Sequence, residues 1–181
     1  MSVIILDLDN TVADDAWRIP RINWQKSNPD ERYHDYHLLA AFDRVGNRHL
    51  FDGVPHDIVV FTARPVAYAA LTMEWLSRNG IVAKHVLMRN PGDYRHSRDL
   101  KMTQLRWLLD LYDVQKHEIV CAYDDRQDVV DAFRANGIAA ECCPIHNQCA
   151  YTDPAARALV AAGYDLEQLE KDNPFNQWML S

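Results

Sequence analysis

The sequence lacks long hydrophobic segments and is poor in cysteine. No stretch of its 181 residues is apolar enough over a sufficient length to span a bilayer, and Asp7 and Asp9 interrupt the short N-terminal apolar run, which argues against a signal peptide. The four cysteines suit a reducing compartment, where they remain thiols. Three of them lie with His146 in residues 142–149, but that spacing is cramped for zinc and no second ligand pair is evident. We expect a cytoplasmic protein without membrane contact.

Internal repeats, low-complexity tracts and Gly/Ser linkers are also missing. A composition of 48% hydrophobic and 25% charged residues is sufficient for one domain with a sizeable core. We therefore expect residues 1–181 to form a single domain.

The pattern that is present alternates strands with helices. Such alternation predicts an α/β fold with a doubly wound parallel sheet. The predicted strands cover residues 3–8, 57–61, 84–88, 118–123 and 138–143, and the predicted helices cover residues 65–79, 99–112 and 126–136, followed by a helical tail at about 151–181.

The first strand ends in two aspartates one residue apart, Asp7 and Asp9, and Thr11 follows. Buried strands deliver such side chains to the carboxyl edge of the sheet, where open α/β folds place their ligand sites. Two carboxylates at this spacing face the same side and repel, so that a cation or a proton-transfer role is needed to compensate. The alternative is a strand that ends in a solvated turn, with an Asp or Thr as a helix cap.

Three more segments carry polar residues at a strand end or a helix start. Thr62 follows the second predicted strand and could offer its hydroxyl to an anion at a helix N-terminus, or simply cap that helix. Lys101 opens an amphipathic helix, where most lysines are solvated. Asp124 and Asp125 end another apolar strand. Their order along the chain predicts that all of them converge on one cluster.

In this order the motifs resemble the haloacid dehalogenase (HAD) superfamily of phosphohydrolases, over about residues 3–145. The resemblance implies that Asp7 is the nucleophile that accepts the phosphoryl group and that Asp9 is the general acid for the leaving oxygen. It also implies that Thr62 and Lys101 hold the phosphoryl oxygens, with Lys101 offsetting the charge near Asp7.

A magnesium ion is implied as the cofactor, because several carboxylates and a phosphate dianion need a hard cation with oxygen ligands. By the resemblance, its protein ligands are Asp7, the backbone carbonyl of Asp9, and Asp125. Asp124 either supports the site or binds through water, and which of the two adjacent aspartates touches the metal directly is left open.

Residues 15–55 interrupt the alternation and are rich in aromatic and basic side chains. Inserts at this point in HAD proteins form a cap, and this one is long enough for a small cap or a pair of short helices. We expect it to decide substrate choice; alternatively, Trp17, Trp24 and Tyr36 only pack the insert onto the core. Apolar residues in the C-terminal tail must be buried against this core or in a homo-oligomer.

A narrower resemblance covers residues 88–101 and 123–138, which are similar to the 3′-phosphatase domain of phage polynucleotide kinase/phosphatases. The phosphate-binding motif G-x-x-x-x-G-K-[ST] of the kinase half is missing, so we expect no 5′-kinase activity from these residues. The implied substrate-binding residues are Thr11, Arg64, Arg89, Arg95 and Arg98. For Arg95 and Arg98 the alternative is pairing with Asp93 and Asp99 on a solvated loop.

The formal net charge of −7 bears on the size of the substrate. Proteins that hold long nucleic acids carry a basic stripe, whereas the basic residues here are local. We expect a phosphatase for nucleotide-type phosphomonoesters, either the 3′-phosphate end of a polynucleotide or a nucleoside monophosphate. A 5′-(deoxy)nucleotidase, a phosphatase for a small metabolite and a non-catalytic phosphate-binding protein are the alternatives.

Overall fold

The computed structural model describes residues 2–146. Its strands are β1 (Val3–Leu6), β2 (Ala13–Asp14), β3 (Arg44–Val45), β4 (Asp57–Pro65), β5 (Ala83–Arg89), β6 (Ile119–Asp124) and β7 (Ala140–Cys142). Its α-helices are α1 (Pro29–Arg32), α2 (His34–Leu38), α3 (Ala69–Arg78), α4 (Ser97–Leu111) and α5 (Gln127–Ala135). Short 3₁₀ helices cover Ala16–Arg21, Leu39–Phe42, Arg48–Leu50, Val66–Tyr68 and Lys116–Glu118.

Five strands form one parallel sheet in the order β5-β4-β1-β6-β7. The chain winds outward from β1 through β4 to β5 and then returns to the other side of β1 for β6 and β7. β1 is therefore central, with Ile4 beside Ile58 of β4 and Cys121 of β6. This order confirms the predicted α/β fold with a doubly wound parallel sheet.

The two faces of the sheet have separate hydrophobic cores, because alternate residues of each buried strand face opposite sides. Val3 and Ile5 of β1 pack in the core that α4 and α5 cover, with Phe133 among its members. Ile4 and Leu6 pack in the core that α3 covers, where Trp75 is fully buried. The apolar strands thus hold β1 rigidly, and its carboxyl end supplies Asp7.

The predicted insert at about residues 15–55 contains α1, α2 and three short 3₁₀ helices. At its base β2 pairs antiparallel with β3, which brings the two ends of the insert together. The insert contacts the loops that follow β4 and β5: His34 Nδ1 lies 2.8 Å from the Tyr68 hydroxyl, and the Tyr94 hydroxyl donates to Asp30 Oδ2 at 2.6 Å. It therefore lies over the carboxyl edge of the sheet.

One local prediction is wrong. The helix expected from residue 65 begins at Ala69, since β4 continues to Pro65, which pairs with Arg89 of β5. Thr62 therefore lies inside a strand, and it does not cap a helix. The predicted tail at about 151–181 lies outside the described residues. Within residues 2–146, every helix is too short or too polar to cross a bilayer.

Candidate active site

A tight turn after β1 arranges the first motif. The backbone N–H groups of Thr11, Val12 and Ala13 all donate to the Leu8 carbonyl, and Asn10 has a positive φ of 61°. This winding returns the Thr11 hydroxyl to Asp7, where it donates to Oδ2 at 3.3 Å. The amide of Asn10 meanwhile donates to Asp125 Oδ2 at 3.2 Å. The turn therefore connects the first motif with the acidic pair after β6.

Lys101 reaches the same point from α4. Its buried ammonium contacts Asp7 Oδ1 and the Phe61 carbonyl, and it lies 3.3 Å from Asp124 Oδ2. Burial alone would lower the pKa of Lys101, but Asp7 and Asp124 outweigh burial and raise it. Lys101 is therefore a fixed cation, in contrast to the solvated lysines that are usual on helix surfaces.

Asp7, Asp124 and Asp125 form an acidic cluster in which one ligand oxygen of each lies within 4.8 Å of the others. Burial raises the pKa of Asp7 to about 7 against the attraction of Lys101. Burial, with the charges of Asp7 and Asp124, raises the pKa of Asp125 to about 9. One lysine does not balance three carboxylates, so that the cluster has the charge and the oxygen donors for a divalent cation.

Asp9 faces different partners. Its carboxylate contacts Arg18, and it accepts from Arg64 Nε at 3.0 Å and from Arg64 Nη2 at 2.6 Å. Burial would raise the pKa of Asp9, but Arg64 and Arg18 outweigh it and hold the pKa below its usual range. The repulsion expected between Asp7 and Asp9 is thus compensated separately, by a lysine at one carboxylate and by two guanidinium groups at the other.

Asp43 binds both Arg18 and Arg64. The sequence analysis did not identify this residue. The Arg18 Nε and Nη2 atoms donate to its two oxygens at 2.8 and 2.7 Å, and Arg64 Nη2 donates to Oδ2 at 3.1 Å. All three side chains are buried. Asp43 follows the 3₁₀ helix Leu39–Phe42 in the insert, and no motif marks it. Only its position in the fold shows that it shares both guanidinium groups with Asp9.

Thr62 lies beside this site, inside the buried second half of β4. Its hydroxyl accepts the backbone N–H of Arg64 at 3.1 Å. Its carbonyl accepts from Gln104 Nε2 at 3.0 Å, and the same amide donates to the Leu87 carbonyl of β5 at 3.0 Å. Gln104 lies one helical turn after Lys101, and it therefore docks α4 on the strand ends in the register that directs Lys101 at Asp7.

The remaining predicted arginines hold the loop after β5. Arg89 donates to the backbone carbonyls of Ala63, Asp93 and Arg95 at 3.1, 2.8 and 2.8 Å. Arg95 pairs with Asp93 at 2.7 Å, and exposed Arg98 pairs with Asp99 at 3.1 Å. The structure therefore shows the pairing given as the alternative for Arg95 and Arg98, and substrate contact by the three arginines stays a prediction.

The insert places aromatic side chains at the side of the site where Asp9 lies. Tyr36 is buried: its ring lies under the Arg18 guanidinium, 4.0 Å from ring centroid to Cζ, and its hydroxyl donates to Asp15. The neighbouring residue His37 interacts electrostatically with Asp9, Arg18, Arg64 and Arg89. Burial and these arginines lower the pKa of His37 to about 3, so that its imidazole is neutral at physiological pH.

Comparison with known proteins agrees with this arrangement. The sequence profile of the family described as the polynucleotide kinase PNKP phosphatase domain matches residues 1–148. The chain belongs to this family. Since the match includes every residue of the acidic cluster, Lys101 and the insert, this PNKP-type phosphatase domain has the site described above as its candidate active site. Among curated proteins, no sequence match is found.

Several solved structures share the fold of this PNKP-type phosphatase domain. It resembles a chain in the Pnkp1/Rnl/Hen1 RNA repair complex, with a TM-score of 0.56 and 20% identity; the match covers 78% of this chain and 42% of that one. It also resembles a hydrolase from Streptococcus pneumoniae TIGR4, with a TM-score of 0.51, 13% identity and coverage of 84% and 98%. A haloacid dehalogenase-like hydrolase from Streptococcus pneumoniae gives a TM-score of 0.50, 12% identity and coverage of 78% and 84%. The chain thus spans less than half of the repair protein.

Proposed function

We propose that this phosphatase domain is a magnesium-dependent phosphomonoesterase that acts through an aspartyl-phosphate on nucleotide-type substrates, specifically the 3′-phosphate end of a polynucleotide. The observation that carries the proposal is the placement of Asp7, whose carboxylate lies between Lys101, the Thr11 hydroxyl and the acidic cluster. A buried carboxylate held in this way is oriented for nucleophilic attack on phosphorus. The family of the chain supports the same reaction class.

In the proposed reaction, a carboxylate oxygen of Asp7 attacks the phosphorus atom and the ester oxygen of the substrate leaves. Lys101 offsets the charge on the transferring phosphoryl group, because its ammonium is already fixed beside Asp7. Thr62 offers its hydroxyl from the adjacent end of β4. Water then hydrolyses the acyl-phosphate, which releases inorganic phosphate and restores Asp7.

Asp9 would protonate the leaving oxygen and then activate the water. In the structure without substrate, Arg18 and Arg64 keep this carboxylate ionised. A phosphate dianion that draws on the same two guanidinium groups would weaken their hold on Asp9 and raise its pKa toward the range of a proton donor. Arg64, predicted to bind substrate, is positioned for both tasks by Asp43.

The residues of the acidic cluster fit magnesium. They supply three carboxylates, and the raised pKa values of Asp7 and Asp125 show more negative charge than Lys101 compensates. The protein ligands would be Asp7, the Asp9 carbonyl and Asp125. Asp124 suits a supporting role because its two oxygens already meet Lys101 and the Arg126 N–H. When bound, the cation would polarise the phosphoryl oxygens and offset their charge.

The family description and the repair complex of the neighbour support a nucleic-acid end as the substrate. The formal charge of −7 supports contact with only a short part of it. The homo-oligomer considered for the tail and the cytoplasmic location stay expectations from the sequence.

The test is phosphate release with magnesium and again with EDTA. The substrates are a 3′-phosphorylated oligonucleotide, the 3′- and 5′-mononucleotides and several sugar phosphates. We expect turnover with magnesium, the highest kcat/KM on the oligonucleotide, and a loss of roughly 10⁴-fold or more in kcat for Asp7→Asn, which keeps the shape of the nucleophile and removes its charge.

Near-normal turnover by Asp7→Asn would refute the nucleophile role. Preference for 5′-monophosphates would identify a nucleotidase instead, and turnover without any preference for nucleotides would identify a phosphatase for small metabolites. Arg48→Ala is the matched control, because this exposed residue pairs only weakly with Asp52 across one helical turn at 3.4 Å.

A further inference from the structure

The leaving group of the substrate must lie next to the side chain that protonates its oxygen. With Asp9 in that role, the leaving group lies on the insert side of the site, where Arg18 and Arg64 hold the carboxylate. For a 3′-phosphate end, this leaving group is the terminal nucleoside. The insert therefore faces the sugar and base of the substrate.

This part of the insert and the start of the segment after β4 form a row of rings, which we call the aromatic face: Trp24, Tyr33, His37 and Tyr68. Adjacent ring centroids lie 6.0 Å apart for Trp24 and Tyr33, 6.1 Å for Tyr33 and His37, and 5.2 Å for His37 and Tyr68. The row approaches the site at His37, whose ring centroid lies 5.1 Å from that of Tyr36, the ring under the Arg18 guanidinium.

Packing of the insert accounts for only part of the aromatic face. The aromatic side chains that do pack are engaged: Tyr36 is only 5% exposed, and Trp17 Nε1 donates to Asp43 Oδ1 at 3.0 Å. Trp24, Tyr33 and Tyr68 instead keep part of their surface exposed to solvent. Rings that stay partly exposed next to a phosphate site can stack on a nucleobase.

A buried polar atom of His37 also indicates a ligand at the aromatic face. Its Nδ1 atom is buried and has no hydrogen-bond partner among residues 2–146. A buried polar atom without a partner destabilises the protein, and a ligand group that forms a hydrogen bond with it removes this cost. The atom belongs to the ring that contacts both Tyr33 and Tyr68, which are half-buried, and that also contacts Tyr36.

We propose that the aromatic face binds the terminal nucleoside of the substrate, with the base stacked on Tyr33 or Tyr68 and a sugar or base atom hydrogen-bonded to His37 Nδ1. The inference rests on the proposed function and extends it. It assigns the recognition of a nucleoside, as opposed to any other phosphorylated alcohol, to the insert. Stacking is tolerant of base identity, so the same face would accept purines and pyrimidines.

The first experiment compares two 3′-phosphorylated oligonucleotides that differ only at the last residue, which is either an ordinary nucleotide or an abasic sugar. We expect the parent enzyme to favour the base-bearing end by about 10-fold to 100-fold in kcat/KM, the effect of one stacked base, mainly through KM. Equal kcat/KM values on the two ends would overturn the inference and leave the proposed function intact.

The second experiment repeats the comparison with variants of the aromatic face. In Tyr33→Ala and Tyr68→Ala the ratio between the two ends should fall toward one, whereas Tyr33→Phe should retain the preference because it keeps the ring. Tyr112→Ala is the control. It removes a ring pair between Tyr112, which follows α4, and His85 of β5, with 4.4 Å between the centroids. A full preference in both alanine variants would overturn the inference.

Thermal unfolding of each variant shows whether it is folded, and the comparison on the parent enzyme decides the question even where a variant is not. Failure of the proposed function gives a different result. In that case the parent enzyme hydrolyses neither oligonucleotide, with or without magnesium, and both proposals are overturned together.

Discussion

The Arg18 side chain holds two carboxylates and an aromatic ring together beside the candidate site. It is fully buried, it pairs with Asp43 and Asp9, and it stacks on Tyr36. Removing one partner of a buried ion pair leaves an uncompensated charge behind, which costs much more than the pair contributes. Arg64 alone would then have to balance two carboxylates.

We therefore predict that Arg18→Ala lowers the free energy of unfolding by about 3–5 kcal/mol, as measured by urea denaturation. The exposed control Arg48→Ala should stay within about 0.5 kcal/mol of the parent. A change of less than about 1 kcal/mol for Arg18→Ala would show that the network tolerates the missing charge.

At the scale of single residues, sequence reasoning found Asp7, Lys101, Asp124 and Asp125, because each lies at a strand end or helix start within an ordered set of motifs. It could not find Asp43. This carboxylate meets Arg18 and Arg64 only after the insert folds back over β4, and no local periodicity encodes that return. The role of Asn10, which connects the turn after β1 to Asp125, was missed for the same reason.

Among the elements, the loop between β5 and α4 depends on Arg89. Its guanidinium joins the end of β4, through the Ala63 carbonyl, to the loop carbonyls of Asp93 and Arg95. The loop also meets the insert through Tyr94 and Asp30. This connection determines how the loop and the insert lie against each other at the edge of the site.

We predict that Arg89→Ala raises KM roughly tenfold, the equivalent of one charge-assisted hydrogen bond, and lowers kcat less, because the loop that flanks the substrate loses its support. Steady-state kinetics on the 3′-phosphorylated oligonucleotide measure both constants. Arg48→Ala, at an exposed pair with Asp52, serves as the control and should behave as the parent does. Unchanged kinetics in Arg89→Ala would remove this residue from the substrate site.

Element boundaries were less predictable than element types. Pro65 suits the first turn of a helix, which led to a helix predicted from residue 65, but it also suits the end of a strand, where its missing N–H is not needed. Because Pro65 pairs with Arg89 of β5, residue 65 belongs to the strand. The choice depends on a partner strand distant in sequence, and local patterns hold no information about it.

For the whole molecule, the fold class followed from the sequence because near-continuous apolar strands that alternate with helices have few other arrangements. The acidic cluster then makes stability depend on pH. Asp7 and Asp125 have pKa values of about 7 and about 9 in the folded protein, well above the ordinary range of Asp. The folded state thus binds more protons than the unfolded state, and stability falls as pH rises through these values.

We predict that in EDTA the melting temperature falls between about pH 6 and about pH 9, and that magnesium raises it more at the higher pH, where protons no longer compete for the carboxylates. Asp9 does not disturb this window, because its lowered pKa keeps it ionised throughout. Thermal denaturation with EDTA and with magnesium, on the parent and on Asp125→Asn, provides the measurement. A magnesium effect that is independent of pH, or that is equally large in Asp125→Asn, would contradict the prediction.

The central position of β1 also determines when the sheet can form during synthesis. Synthesis makes β1 before the other strands of the sheet, yet its two neighbours are β4 and β6, and the second of these ends only at Asp124. Pairings between segments so far apart in the chain form slowly, because long loops must close before any contact stabilises them. β1 therefore lacks one of its two sheet neighbours until β6 has been made, and the acidic cluster can form only when the sheet is nearly complete.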